Sequence, residues 1–118
     1  MIKEIWKDIP EYEGLYQISN YGQIKSLTFI NKQCKKKREK ILKSYINNRG
    51  YKIIKLTKNK TKKAFFIHRL VAENFIDNLE NKKEVNHIDG NKLNNNVKNL
   101  EWCTRSENMH HAYEIGLR

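Results

Sequence analysis

Acidic residues are nearly absent from the middle of this chain. Between positions 25 and 67 there are 15 Lys or Arg and a single acid, Glu39. The net charge of +11 is therefore all in that block, because the segments on either side are close to neutral. A basic stretch of that size is the electrostatic footprint of a protein that meets a polyanion. Lysine outnumbers arginine 19 to 5, with 15 Asn and 14 Ile, as an AT-rich genome would encode. Codon bias explains Lys over Arg but not the missing acids. Cysteine is scarce too. Cys34 and Cys103 are far apart and belong to no Cys-x-x-Cys, which argues against a structural zinc. No run of about 18 apolar residues exists, so no membrane helix is expected. An apolar leader is also missing at the N-terminus, and an intracellular, cytoplasmic site of action follows as an expectation. There is no internal repeat. At 118 residues, 38% hydrophobic and 31% charged, the chain is of globular composition, with one modest core.

The first part reads as β-rich. Trp6, Ile9, Pro10, Tyr12, Tyr16 and Ile18 supply a small core. Tyr16–Ser19 and Gln23–Leu27 form two short strands around Asn20-Tyr21-Gly22. Asn31 to Lys40 has no apolar period beyond Cys34 and is expected to be a mobile loop. Ile41–Tyr45 is expected as a strand, Asn47–Gly50 as a turn and Tyr51–Thr57 as a strand. Lys58–Lys63 makes a second basic turn, and Ala64–Ile67 closes the ribbon. Such a ribbon fits the major groove of DNA. The candidates for DNA contact are Lys25, Lys43, Arg49, Lys52 and Lys55, with Arg69 on the helix that follows. That helix should span His68 to Asp77, with Ile67, Leu70, Val71 and Phe75 as its apolar stripe. His68 is expected to make a structural hydrogen bond.

The stretch Val85 to Asn108 is built differently, from one imidazole and many amides set among a few apolar anchors. Val85-Asn86-His87-Ile88 alternates as a strand, with Val85 and His87 on one face and Asn86 on the other. Asp89-Gly90 is a turn signal. Asn91 to Asn96 has only Leu93 to bury and should be a loop tied by its own side chains. Asn99–Cys103 alternates again, with Leu100 and Trp102 on one side and Cys103 packed beside Trp102. Thr104-Arg105-Ser106-Glu107 has capping-box spacing. The helix it opens should run to about Glu114, bury Met109, Ala112 and Tyr113, and stop at Gly116.

These residues resemble the HNH endonucleases of the phage and intron homing type, which share the ββα-metal fold. The resemblance rests on Asn86-His87, Asp89-Gly90-Asn91, Asn94-Asn95-Asn96, Asn99-Leu100 and Asn108, with His68–Ala72 upstream and Trp6–Ser26 before that, in the same order. It implies an α+β protein: a basic antiparallel β-rich DNA-binding region over residues 1–67, and an HNH ββα-metal module over 68–118. It implies a metal-dependent DNA endonuclease in which His87 is the general base and Asn99 the central Asn. Asn108 is then the metal ligand from the helix, and Asn86 a second one where some relatives carry Asp. The expected cofactor is a divalent cation, Mg²⁺ or else Mn²⁺, and the expected partner is double-stranded DNA. One such site nicks as a monomer; a double-strand break calls for a homodimer, a second visit or a larger phage or host complex. Many homing relatives continue past the site helix, so a chain stopping at Arg118 implies lower specificity or a partner that supplies it. Alternatives from the residues themselves stay open. Asn99 either contacts the site or only ties the loop. His111 shares a helix face with Asn108 and is either a metal or phosphate contact or an ordinary packed or exposed side chain. A non-catalytic DNA-binding accessory protein or regulator derived from such a nuclease, and an RNA-binding protein, remain the rival functions.

Overall fold

A computed structural model describes residues 3–27, 29–30, 36–37 and 39–114, with side chains placed for 3–27 and 39–109. Among the described residues the strands form three antiparallel sheets in sequence and one further two-stranded pair. Strands β1 (Trp6–Asp8), β2 (Tyr16–Ser19) and β3 (Ile24–Ser26) pair as neighbours, and β6 (Lys40–Ile41) adds to the far side of β3. Between them β4 (Phe29–Ile30) pairs with β5 (Lys36–Lys37). The second sheet is β7 (Tyr45–Ile46), β8 (Lys52–Lys58) and β9 (Thr61–Phe66). The third is the pair β10 (Glu84–His87) and β11 (Leu100–Cys103). Helix α1 (Ile67–Phe75) follows β9 directly, and α2 (Arg105–Glu114) follows β11.

Local chemistry accounts for most of this. The β8–β9 hairpin turns on Asn59 and Lys60, both with positive φ (51° and 66°), the two-residue turn whose twist matches the strands. Ile54 and Leu56 point to one face and are buried, while Ile53, Lys55 and Thr57 point to the other. In α1, Ile67, Leu70, Val71 and Ala72 are all buried. They join Ile9, Tyr12, Ile18, Ile24, Ile54, Leu56, Val85 and Leu100 in one apolar cluster. Its members come from both sides of position 67, so α1 is the wall against which the N-terminal sheet and the β10–β11 pair are both built.

Several expectations need correcting. Ile41–Tyr45 is not one strand: it is the crossover between two sheets, with β6 ending at Ile41 and β7 beginning at Tyr45. The basic segment expected as a loop contains β5, paired with β4, while residues 31–35 with Cys34 lie outside the described residues. The second basic turn is confined to Asn59-Lys60, and Lys62 and Lys63 are strand residues. Leu93, expected to bury, is 42% exposed, because its loop is held by hydrogen bonds and needs no apolar anchor. Met109 is likewise 47% exposed. Cys103 is buried but opposite Glu84, on the other face from Trp102. Gly116 and the side chains of His110, His111, Ala112 and Tyr113 lie outside the described residues.

Candidate active site

The loop from Ile88 to Asn99 is laced together by amides. Asn99 is the centre of the lacing. Its Oδ1 accepts from the Asp89 amide at 2.9 Å, and its Nδ2 donates to Asp89 Oδ1 and to the Asn94 carbonyl, both at 2.9 Å. Its own carbonyl accepts from the Ile88 amide at 2.8 Å. Asn91, Leu93 and Lys98 amides donate in turn to Asp89, Asn91 and Asn96 side chains, the local pattern expected of Asx residues in turns. Asp89 therefore keeps its carboxyl below the usual range, first through the Asn94 amide and then through the Asn91 and Asn99 donors. Asn99 is thus a loop tie; all its polar atoms are spent within the loop.

His87 ends β10, just before this loop. Its Nε2 lies 2.8 Å from Asn95 Oδ1, and both side chains are buried. An amide oxygen only accepts, so the ring proton sits on Nε2 and the lone pair on Nδ1. Burial pushes the pKa of His87 down, against the raising influence of Asn95 and Asp89. The ring is therefore neutral at physiological pH, the state a base needs. His68 lies beside it, with ring centroids 5.0 Å apart, and Tyr51 covers His68 at 5.1 Å. His68 Nδ1 is buried without a hydrogen-bond partner, contrary to the structural hydrogen bond expected of it. Desolvation, followed by the charges of His87 and Arg69, lowers its pKa to about 3. It serves as a neutral ring in a stack.

Strand alternation places Asn86 on the opposite face from His87. Asn86 faces its cross-strand partner Glu101 and donates from Nδ2 to Oε1 at 2.9 Å. Two residues back on the same face, Glu84 accepts from Asn108 Nδ2 at 3.0 Å. The capping box holds Asn108 there: the Glu107 amide donates to Thr104 Oγ1 at 3.1 Å, and the Thr104 amide to Glu107 Oε1 at 2.9 Å. Each amide nitrogen is thus committed to a carboxylate, and no described residue donates to either carbonyl oxygen. Two oriented, neutral oxygens suit a hard cation that keeps most of its waters. Among the described residues no cluster of three His, Cys, Asp or Glu side chains is arranged to hold a metal. A cation here would lean on amide oxygens and on substrate.

Comparison with known proteins matches this architecture in both halves. Residues 4–57 match the NUMOD4 motif, and residues 65–110 match the HNH endonuclease family model. The solved structure described as "DNA binding and cleavage by the HNH homing endonuclease I-HmuI" superposes with a TM-score of 0.79 at 40% identity, over 97% of this chain and 60% of that one.

The chain belongs to the HNH endonuclease family.

Its fold is the ββα-metal fold of that structure: β10, β11 and α2 supply the two strands and the helix. By sequence this HNH protein is 41% identical to DNA endonuclease I-HmuI of Bacillus phage SP01, over 94% of the chain and 59% of that protein. It is 44% identical to an uncharacterised HNH endonuclease of Acanthamoeba polyphaga mimivirus, over 96% of the chain and 31% of that protein. A putative HNH homing endonuclease of the SPbeta prophage in Bacillus subtilis is 47% identical over 75% of the chain and 49% of its own length. The chain therefore spans about a third to three fifths of these relatives.

The basic residues singled out in the HNH chain lie on different surfaces. Lys25 is 3.3 Å from Glu39 and lies over the Trp6 ring, so its charge is already engaged. Lys43 and Lys55 are exposed, Lys55 on the outer face of β8. Lys52 is half-buried on the core face. Arg49 is exposed in the turn before β8, and its carbonyl accepts from Lys92 Nζ of the Ile88–Asn99 loop at 3.0 Å. Arg69 donates to the Lys83 carbonyl at 3.0 Å and lies over Trp102, braced across the fold. The described part of the chain has no helix long and apolar enough to cross a membrane.

Sequence reasoning missed three partners. Glu84 and Glu101 were passed over because their importance lies in strand register, which pairs Asn86 with Glu101 and brings Glu84 under α2. Asn95 was one amide in a run of three. Nothing in the local sequence separates it from Asn94 or Asn96.

Proposed function

We propose that this chain is a metal-dependent DNA endonuclease that hydrolyses a phosphodiester bond, with His87 as general base. The observation that carries the reading is the pairing of a neutral, oriented imidazole with two oriented amide oxygens across one strand. His87 and Asn86 are consecutive, with Cα atoms about 3.8 Å apart. Their side chains flank the end of β10, whose other edge carries no described strand. A phosphate at that edge reaches both faces. Nδ1 of His87 takes the proton of the attacking water, while Asn95 holds the ring. Asn108 and Asn86 would hold the cation, Mg²⁺ or Mn²⁺, by their carbonyl oxygens. When bound, the cation supplies charge stabilisation to the phosphate and the leaving oxygen. Asn99 keeps the loop in shape and does not touch the substrate.

We assign DNA contact to residues 1–67 and catalysis to 68–118. The outer face of the second sheet carries Lys55 and Lys62 with exposed Tyr45 and Phe66. Phe66 leads through Tyr51 to His68 and His87, so the face and the site are continuous. Arg49, Lys43 and Lys55 are the phosphate contacts of choice, and Lys52 and Lys92 line the approach. Lys25 and Arg69 act mainly on the fold. One site per chain nicks one strand as a monomer; a dimer or a larger complex converts nicks into breaks. The setting is intracellular, on phage or bacterial DNA.

Relaxation of a supercoiled plasmid tests this. Nicked circles form with Mg²⁺ or Mn²⁺ and vanish with EDTA. Equal cleavage in both lanes overturns the metal assignment. Salt-sensitive DNA binding without cleavage at any divalent ion favours a DNA-binding regulator built on this fold.

A further inference from the structure

Resting on that reading, we infer that Asn95 is the positioning residue of the general base, and that the β2–β3 turn of the N-terminal region is its buttress. The NUMOD4-matching segment would then be part of the catalytic apparatus as well as a DNA-contact region. Asn95 accepts from His87 Nε2 at 2.8 Å, and the pair is buried. Its carbonyl and Cβ lie against Gly22: a Cβ added at Gly22 would stand 2.9 Å from both and 3.2 Å from the Asn95 carbonyl carbon. Gly22 also has φ +85°, a left-handed conformation that side chains resist. Just beside it the Asn20 carbonyl accepts from the Val97 amide at 2.8 Å.

The turn itself is rigidly built. Ser19 Oγ accepts from the Tyr21 and Gln23 amides at 3.2 and 3.1 Å. Asn20 Oδ1 accepts from the Ile5 amide at 2.7 Å, and its Nδ2 donates to the Lys3 carbonyl at 3.1 Å. Both residues are buried although they are polar, Ser19 at 0% and Asn20 at 3% exposure. Buried polar groups held by several hydrogen bonds make a stiff support. A stiff turn pressed on the Asn95 backbone fixes the Asn95 side chain, which fixes which nitrogen of His87 carries the proton. Asn99 shapes the same loop from the other end, with its side-chain hydrogen bonds going to Asp89 and Asn94. The two amides therefore have separate tasks.

The test combines rates with a spectroscopic reading of the ring. Variants are Asn95→Leu, which removes the acceptor, Asn95→Asp, which keeps one, and Gly22→Ala, which pushes the support. Single-turnover cleavage at pH 8.5 should fall ~10²-fold in Asn95→Leu and Gly22→Ala, with the Kd for DNA unchanged in Asn95→Leu. Asn95→Asp should recover most of the rate. Nitrogen shifts of the His87 ring should report the Nε2–H tautomer in the native chain and in Asn95→Asp. Mixed tautomers are expected in Asn95→Leu and Gly22→Ala. Equal losses in Asn95→Leu and Asn95→Asp, or an unchanged tautomer in Asn95→Leu, overturn the assignment. If the native chain does not cleave, the nuclease reading fails on that result, while the ring spectra still decide the role of Asn95 and Gly22. Should Gly22→Ala fail to fold, the Asn95 pair carries the decision, since Asp and Asn differ little in shape.

Discussion

The two faces of the β10–β11 pair meet different neighbours, and the chemistry on each follows from them. One face lies under α1 and joins the apolar core through Val85 and Leu100. There an imidazole at the strand end is desolvated, stacked and kept neutral. The other face lies under α2 and carries Glu84, Glu101 and two amides bonded to them. Only one of these environments favours loss of charge; the other gathers negative charge and suits a cation. A single strand separates them, so the proposed base and the proposed cation site can share a substrate without sharing an environment. Were His87 on the carboxylate side, it would be drawn toward the protonated form and lose its value as a base.

Substitutions that strike one face and spare the other test this division. The largest effect is expected from His87→Ala, which should lower the cleavage rate about 10³- to 10⁴-fold with DNA affinity unchanged in a mobility-shift titration. A variant that still cuts well would break the assignment of the base. Next comes Asn108→Ala on the other face, expected to cost about 10- to 100-fold in rate at fixed Mg²⁺. Raising the cation concentration should recover part of that loss, and should do nothing for His87→Ala. If both variants respond alike to Mg²⁺, the two faces do not act separately. A sharper comparison is Asn86→Asp. The added charge should reduce the Mg²⁺ needed for half-maximal cleavage by roughly tenfold, while the new repulsion with Glu101 lowers Tm when the cation is chelated.

The smallest effect belongs to the α1 side and concerns stability. His68 has a folded pKa of about 3 against 6.5 when unfolded. Below pH 6.5 the unfolded chain takes up a proton that the folded chain refuses. Stability is therefore lost as pH falls from 6.5 toward 3, at up to about 1.4 kcal/mol per pH unit from this residue, and the loss levels off below that. His68→Phe keeps a ring in the stack and removes the titration. Urea unfolding at pH 7.5 and 5.0 should show a smaller acid loss in the variant. An identical loss in both chains would show that His68 is not the acid-sensitive group.

Much of the fold could be read directly, for identifiable reasons. Alternation located β10 and β11, whose side chains divide between an apolar face with Val85, Leu100 and Trp102 and a polar face with Glu84, Asn86 and Glu101. The capping box placed the start of α2 because its bonds are local to Thr104 and Glu107. The middle of the chain was harder. Ile41 to Tyr45 is apolar enough for a strand, yet its ends join different sheets, and no local signal marks a crossover. Leu93 and Met109 were expected inside by type alone, but both stand at the surface beside polar loops and helices.

By itself the sequence determined the family, the basic block and the candidates for the base and the amide ligands, because these are written in residue types at short, fixed spacings. Only the tertiary structure decided how those groups are held. It chose Asn95 from three consecutive asparagines, set Glu84 and Glu101 behind the amide nitrogens, and pressed Gly22 against the loop from some seventy positions away. Those choices depend on strand register and on contacts between segments remote in the chain, and neither leaves a periodic trace in local composition.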